Sequence, residues 1–434
     1  MRDFLISFIM NTSKLAMFVA CLNMLGIFAN AEYTEYRIKD AIEDAKLNNQ
    51  ELQIIDKNLS VRKLDRYRAV SGFWPVAGAE ASKTEGRISP TATTNYQDFN
   101  SFDNALYVQQ ELFAGGKTLA QMKIANSTVN AAELDSYSKT ANVFLKVIDA
   151  YHEVILARRI YKISLNNEEG MRNRLEQIKT RFRVGEVTKT DVSWAKHSLA
   201  KAVTEKEKAF GDMKTAEANF AYIIGKVPGH DLVYVQASKI NTPKDFETFA
   251  AAVRQANLNL RIAQEQLHTS KTLVAVAASA LMPAVTARMS VNDGQSSGQK
   301  GKTYALRVSM PLFNGNSYVD IKEARYKARG AEASLNNTLG EVEQNIVQIW
   351  NQNQVAISQI NSVKEALAAA QEALEGVQQE YKVGTKTTLD LLDSEQRLFE
   401  AQIIQEKVNK ALVISAFQMK ALMGELHYFD FQNL

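Results

Sequence analysis

Two aspartates three positions apart, Asp390 and Asp393, are the side chains whose type and spacing best fit a chemical site. Residues three apart share one face of a helix, so these carboxylates would stand close together. A carboxylate pair could act as the acid and the nucleophile of a glycosidase. No cleft-forming fold supports that reaction here. The alternative is that both are solvated acids on a helix surface.

Other candidates for chemistry fail on spacing. The stretch "FAGGKTLA" looks like the end of a phosphate-binding loop, but that motif needs a glycine five positions before Gly116, where Glu111 stands. The histidines are scattered, and none has a second histidine or cysteine at the spacing of a zinc site. We therefore expect no catalytic residue, no metal site and no cofactor. The five histidines are His152, His197, His230, His268 and His427.

The N-terminal segment predicts export. Arg2 and Lys14 precede the apolar run "LAMFVACLNMLGIF", which is followed by "ANA" ending at Ala31. This order is typical of a secretory signal peptide covering residues 1–31. A buried or membrane-anchoring helix is the alternative. Lipid attachment at Cys21 is disfavoured because Phe18 stands where a lipoprotein signal usually has leucine, and the mature chain would then contain no cysteine.

Composition excludes several classes of protein. The 434 residues are 46% hydrophobic and 23% charged, with a net charge of +3. After residue 30 no run approaches the roughly 20 apolar residues of a membrane-spanning helix. Lys and Arg alternate with Asp and Glu, so there is no basic surface for nucleic acid.

One sequence motif occurs twice along the chain. "RFRVGEVTKTDV" begins at Arg181 and "EYKVGTKTTLDL" at Glu380, and their glycines, Gly185 and Gly384, lie 199 positions apart. Gly225 and Gly424 have the same offset, and "ELFAGGKT" matches "PLFNGNSY" at an offset of 200. Self-similarity at one large period indicates two copies of one structural unit.

The elements of each unit follow from proline and from apolar periodicity. Proline is absent from 91–227 and after Pro311, which predicts two helices of about 65 residues, each near 100 Å long. Alternation in "AVTARMSV" and "TYALRVSMPLF" predicts a hairpin in the second unit, and "FDNALYVQQELF" alternates in part in the first. We predict a signal at 1–31 and a first repeat at 32–225, with one leading helix, strands at about 75–113 and long helices at about 116–225. A linker follows at 226–243. The second repeat, 244–434, has one leading helix, strands at about 283–313, long helices at about 316–424 and a C-terminal tail.

The repeated motif predicts a helix–turn–helix corner. Gly185 and Gly384 fit the left-handed position that follows a helix C-terminus. A Thr-x-x-Asp capping box then opens the next helix, with Asp191 in the first copy and Asp390 in the second. Asp393 has no such structural reason to be there, which makes it the more informative acid.

These features together resemble the TolC family of outer-membrane channel proteins across nearly the whole mature chain. The resemblance implies a mainly α fold with a β-barrel portion. In it, three chains contribute four strands each to a twelve-stranded barrel, and long coiled-coil helices form a tapered α-barrel. Four strands alone would leave two bare edges, which a bilayer does not tolerate.

The resemblance also assigns roles to residues of both turns. The periplasmic gate would be Tyr381 and Lys386, which would bind Thr190 and Asp191 on the neighbouring turn. Lys386 stands where the family has arginine, and lysine lacks the planar fork for paired hydrogen bonds, so the closed state would be held less rigidly. The remaining assignments are a pore constriction at Asp390 and Asp393 and adaptor-docking turns at Val184, Gly185, Val383 and Gly384.

The implied function is a passive exit duct in the outer membrane of a Gram-negative bacterium, with a long periplasmic portion. Its partners would be outer-membrane lipid, two further copies of the chain, a periplasmic adaptor of the membrane fusion type and an inner-membrane transporter of the RND or ABC type. Drug efflux and type I protein secretion are both compatible with such a duct. The alternative from another class is a soluble or peripheral coiled-coil scaffold without a channel, which explains the helices but neither the strands nor the signal.

Overall fold

A computed structural model describes residues 35–88, 97–229, 231–294 and 300–426. The predicted signal peptide, Cys21, His230 and His427 lie outside the described residues. The predicted bounds of the linker and of the two repeats stay a prediction.

The described chain forms two consecutive units with the same order of elements. This confirms the predicted helix–strand–strand–helix repeat and the mainly α fold. A short 3-10 helix, Ala237–Lys239, lies between the units. The first unit contains α1 (Ile38–Asn48), α2 (Gln50–Ser71), β1 (Val76–Ile88), β2 (Gln97–Ala114), α3 (Lys117–Arg183) and α4 (Lys189–Ile224). The second contains α5 (Phe246–Ala256), α6 (Leu258–Ser279), β3 (Ala284–Gly294), β4 (Lys300–Ser309), α7 (Gly315–Lys382) and α8 (Thr388–Leu422).

The leading helix of each unit is broken in two, whereas a single helix is predicted from the sequence. The breaks are at Asn49 and Asn257, which are separated by 208 positions. Each asparagine caps the following helix by accepting a hydrogen bond from a backbone amide, at 3.1 Å in both cases. Each also donates its side-chain amide to a backbone carbonyl near the end of its unit's last helix, Ile223 in the first unit and Leu422 in the second. The break therefore has the same geometry in both units, and in each unit it is held to the end of the last helix.

The four strands form one antiparallel sheet in the order β1-β2-β3-β4. Leu106 pairs with Val291 and Val108 with Met289 across the β2–β3 ladder, and all four side chains are exposed in the single chain. On the opposite face the Arg288 guanidinium lies 4.2 Å from the Tyr107 ring centroid. The sheet therefore has one apolar and one polar face. Strands β1 and β4 are its unpaired edges.

The predicted strand region of the second unit, about 283–313, extends too far at its C-terminal end. Strand β4 ends at Ser309, and both Met310 and Leu312 lie beyond it and are exposed. Pro311 lacks the amide hydrogen that would continue a ladder, which accounts for the earlier stop.

The two longest helices, α3 and α7, have 67 and 68 residues, which makes each about 100 Å long. Helix α4 runs back along α3 and buries an alanine every seven residues against it. Such a heptad of small residues allows close coiled-coil packing. The largest apolar core surrounds the middle of α3, where Tyr151 and Phe220 are fully buried. The alanines of this heptad are Ala195, Ala202, Ala209 and Ala216.

None of the helices among the described residues combines the length and apolarity required to cross a membrane.

Candidate functional site

Two turns lie at the same end of the molecule, one between α3 and α4 and the other between α7 and α8. Gly185 and Gly384 both have φ of +81°, and an added Cβ would meet nothing within 4 Å at either position. The amide of Glu186 donates to the Arg181 carbonyl at 3.0 Å, and the amide of Thr385 donates to the Glu380 carbonyl at 2.9 Å. The predicted left-handed glycine after each long helix is present.

The apolar residue before each glycine points outward. Val184 is 69% exposed and Val383 is 77% exposed, although both are β-branched aliphatic side chains. Each of the two predicted docking turns therefore exposes one small apolar side chain at the same position, which we call the apolar knob of that turn. Their role in binding a partner stays a prediction.

Each turn is followed by a capping box of the same geometry. The Asp191 carboxylate accepts from the Thr188 amide at 2.8 Å, and the Asp390 carboxylate accepts from the Thr387 amide at 2.9 Å. In return, each threonine hydroxyl accepts from the aspartate amide at 3.2 Å. These bonds satisfy amides that an uncapped helix would leave unpaired.

Hydrogen bonds keep both capping aspartates ionised. The pKa of Asp390 is lowered mainly by the bonds from the backbone and hydroxyl of Thr387, with the charge of Lys386 adding to the effect. For Asp191, burial raises the pKa, but the hydrogen bonds from Thr188 and Thr388 outweigh it and the net shift is downward. Both carboxylates therefore carry their charge at neutral pH.

Tyr381 joins the two turns within one chain. Its ring is buried against the Arg181 guanidinium, whose carbon lies 4.7 Å from the ring centroid. Its hydroxyl lies 3.4 Å from the hydroxyl of Thr388, and the side chain of Thr388 also lowers the pKa of the Asp191 carboxyl. Tyr381 and Asp191 are thus both close to Thr388. The sequence prediction included neither Arg181 nor Thr388.

The other two predicted gate residues are not joined to this cluster. Thr190, in the first turn of α4, and Lys386, in the loop before α8, are both exposed. Within the part of the chain that the structure describes, no hydrogen bond or ion pair links Lys386 to Thr190 or Asp191. The gate assignment stays a prediction for all four residues.

Asp393, for which no structural partner was expected, has one. The Arg397 guanidinium donates to its carboxylate at 2.8 Å, one turn further along α8. The four-residue spacing in the sequence was the available signal. Of the two acids in the predicted constriction, Asp390 therefore caps α8 and Asp393, which is exposed in the single chain, forms an ion pair.

A further ion pair ties α3 to α8 above the turns. The Arg174 guanidinium donates to the Glu395 carboxylate through two nitrogens, at 3.1 and 2.5 Å, and both side chains are mostly buried. Further along the same helix pair, Arg159 binds Glu406 at 2.6 Å. Nothing in the sequence links residues so far apart. These contacts form a ladder of charge pairs between the two units.

The described residues include no group of three or more His, Cys, Asp or Glu side chains placed to hold a metal ion. His152 is buried, with its Nδ1 2.8 Å from the Ile148 carbonyl oxygen. Burial lowers the pKa of His152 to about 4, so the ring is neutral at pH 7 and packs against Tyr151 and Tyr234.

Comparison with known proteins agrees with this architecture. The sequence model of the family described as outer membrane efflux protein matches residues 41–226 and 248–425. The chain is 23% identical over 398 residues to the outer membrane efflux protein BepC of Brucella suis, covering 90% of this chain and 84% of BepC. It is also 23% identical over 414 residues to the outer membrane protein TolC of Escherichia coli, covering 89% of this chain and 82% of TolC.

Solved structures share the fold. The structure of CusC superposes with a TM-score of 0.79 at 14% identity, covering 90% of this chain and 92% of CusC. At this identity the similarity concerns the fold alone, which is that of channels with an α-barrel and a β-barrel portion.

Proposed function

Because this chain belongs to the outer membrane efflux protein family, we propose that three copies assemble into one duct that passively conducts substrates from a periplasm-spanning pump to the exterior. The chain is a channel protein of the Gram-negative outer membrane, a component of efflux or secretion systems, and not an enzyme. The trimer, the gate and the partners are the proposed part.

The four-stranded sheet is the observation that carries this proposal. Its apolar face, which includes Leu106 and Val291, is exposed in the single chain, and β1 and β4 each have an unpaired edge. In hydrocarbon an open edge leaves backbone groups without partners, so a sheet of this kind must close. Three copies of four strands would close as a barrel, with the apolar faces toward lipid and the polar faces toward water.

The helices would continue the barrel as a tunnel that narrows toward the turns. The gate would consist of Tyr381, Lys386, Thr190 and Asp191, supported by the contacts that Tyr381 makes with Thr388 and with Arg181 of the other turn. Asp390 and Asp393 would ring the constriction with two carboxylates from each copy. Opening would require the helices of the second unit to move away from those of the first.

The proposed partners would bind at the two turns. The exposed knobs formed by Val184 with Gly185 and by Val383 with Gly384 would receive the helical hairpin of a periplasmic adaptor. The adaptor would connect the duct to an inner-membrane transporter of the RND or ABC type, which supplies the energy. The duct itself would need no cofactor.

The first test is the state of the protein in its membrane. Outer membranes extracted with detergent should yield a trimer that resists SDS below a threshold temperature and conducts ions in planar bilayers. A monomer that never conducts, or a chain found only in the cytosol, would contradict the duct and favour the scaffold.

A strain that lacks the gene for this chain distinguishes drug efflux from protein secretion. Loss of drug resistance with normal secreted proteins would assign drug efflux, and the reverse would assign one-step protein secretion. A deletion strain that is unchanged in both assays would contradict a role in either system.

A further inference from the structure

Helix α8 exposes a single narrow stripe beyond its first turn. From Leu391 to Met423, every residue that is exposed in the single chain lies at alternating steps of four and three. This spacing follows one face of a helix in a coiled coil. The remaining faces of α8 pack against α7 and α3. The residues of this α8 stripe are Asp393, Arg397, Glu400, Ile404, Lys407 and Ala411.

The side chains of the α8 stripe are too highly charged for a tightly packed helix–helix interface. A helix seam carries apolar residues at these heptad positions, whereas four of the six residues here are charged, with the signs negative, positive, negative and positive along the helix. A dry interface would have to desolvate each of these charges at considerable cost. The α8 stripe therefore suits contact with water and not burial against another helix.

Helix α7 offers a contrasting surface. From Gln344 to Val363 the sequence contains no charged residue at all, and the exposed side chains in this stretch include Val347, Val355 and Ile357. Apolar and amide side chains without charges suit contact with a second copy of the chain. If α7 meets the neighbouring copy, the charged face of α8 is left for the passage.

We infer that the α8 stripe lines the passage and that Arg397 is a charge-selectivity residue that opposes the aspartates of the constriction. This inference rests on the proposed duct. Arg397 sits about 6 Å along the helix from Asp393 and donates to its carboxylate at 2.8 Å. Asp390, Asp393 and Arg397 together leave one net negative charge per copy instead of two, and further along the stripe the charges of Glu400 and Lys407 offset each other.

This arrangement predicts what the passage admits. A narrow ring of carboxylates alone would exclude anions. A guanidinium one turn away reduces that barrier, because opposite charges at this separation largely cancel in the potential felt by a passing ion. The duct would therefore be only weakly cation-selective and would admit organic solutes of either charge.

Reversal potentials in planar bilayers under a KCl gradient test the inference. Arg397→Gln should raise the ratio of potassium to chloride permeability, on the order of threefold, and Arg397→Lys should match the unaltered protein because the charge is kept. If Asp393→Asn changes the ratio while Arg397→Gln does not, Arg397 is not in the passage and the inference fails with the duct intact. If the unaltered protein does not conduct, the duct and the inference fail together.

A labelling experiment tests the orientation of the stripe without altering its charges. In full-length protein with Cys21→Ser, Ile404→Cys on the stripe should react with a cationic methanethiosulfonate added to the bath, and the single-channel current should fall. Ala416→Cys is the matched control, because Ala416 lies on the same helix and is buried. A conducting Ile404→Cys channel whose current is unaffected by the reagent would overturn the inference.

Discussion

The guanidinium of Arg181 at the end of α3 lies over the ring of Tyr381 at the end of α7, with 4.7 Å between its central carbon and the ring centroid. This contact links the first unit of the chain to the second immediately above the two turns. A cation–π contact of this kind contributes roughly 1 kcal/mol. The proposed gate would thus be held by the face of the tyrosine ring as well as by its hydroxyl.

Tyr381 variants should separate these two contributions. Tyr381→Phe removes only a hydroxyl that lies 3.4 Å from its partner Thr388, which is a weak bond, so single-channel conductance should rise slightly. Tyr381→Ala also removes the ring under Arg181, so the rise should be clearly larger. Equal conductance in the two variants would mean that the hydroxyl alone holds the gate. Arg181→Ala should resemble Tyr381→Ala, and Arg181→Lys should lie between it and the unaltered protein.

The ion pair between Arg174 and Glu395 should act as a second closure above the turns. Both side chains are mostly buried, and removing one partner of such a pair costs about 3–5 kcal/mol because the other charge is left uncompensated. Arg174→Ala and Glu395→Ala should each raise conductance and lower the melting temperature of the detergent-solubilised protein. The charge swap Arg174→Glu with Glu395→Arg should restore both values toward those of the unaltered protein.

A surface pair on the same helix is the control for this closure. Glu176 and Lys179 are joined at 2.7 Å but are largely exposed within α3, and exposed pairs contribute about 0–1 kcal/mol. Glu176→Ala should therefore leave conductance unchanged. If the charge-swapped protein has the same raised conductance as the single variants, the ion pair between positions 174 and 395 does not close the duct.

These contacts mark the limit of what the sequence could predict. The corners were predictable because a glycine, a threonine and an aspartate at fixed local spacing have local causes, as at Gly185 and Asp191. The contacts of Arg181 and Arg174 join residues about 200 positions apart, and only the packing of α3 against the second unit brings them together.

Two further differences between the prediction and the structure have different explanations, one local in the sequence and one not. The ion pair of Asp393 has a local signal in the sequence, because Arg397 follows four residues later on the same helix face. Asn49 and Asn257 break the leading helices at positions where the helical pattern continues on both sides. Their conformation depends on the carbonyls of Ile223 and Leu422, which the sequence does not place nearby.

The buried histidine should make the stability of the protein depend on pH. Burial lowers the pKa of His152 to about 4 from 6.5, and the nearby charge of Lys410 acts in the same direction while Asp149 opposes it. Because the unfolded chain takes up the proton first, stability is fully present above pH 6.5 and is lost as the pH falls toward 4. At pH 5 the loss from this residue should be about 2 kcal/mol per copy.

Thermal unfolding of two histidine variants measures that contribution. His152→Leu should show a smaller drop in melting temperature between pH 7 and pH 5 than the unaltered protein. His197→Leu changes an exposed histidine and should leave the drop unchanged. The same drop in His152→Leu as in the unaltered protein would place the pH dependence elsewhere.

Two glycines with the same backbone conformation should respond differently to alanine. Gly185 and Gly225 have φ of +81° and +82°, so alanine is strained at both, at roughly 1 kcal/mol. At Gly225 the added Cβ would also lie 2.4 Å from the Cβ of Asn48, whereas at Gly185 it would meet nothing. Gly225→Ala should therefore cost roughly 2 kcal/mol more in unfolding free energy than Gly185→Ala. Equal costs would contradict the close joint between α1 and the end of α4.

The ion selectivity of single channels tests the central claim most directly. If the helices enclose a water-filled passage that narrows at Asp390 and Asp393, the double variant Asp390→Asn with Asp393→Asn should lower the ratio of potassium to chloride permeability by roughly threefold or more, with the helix cap kept because an amide oxygen still accepts from Thr387. Asp56→Asn, on the exposed surface of α2, is the control and should leave the ratio unchanged. Channels whose selectivity is the same in all three proteins would contradict a passage lined by these aspartates.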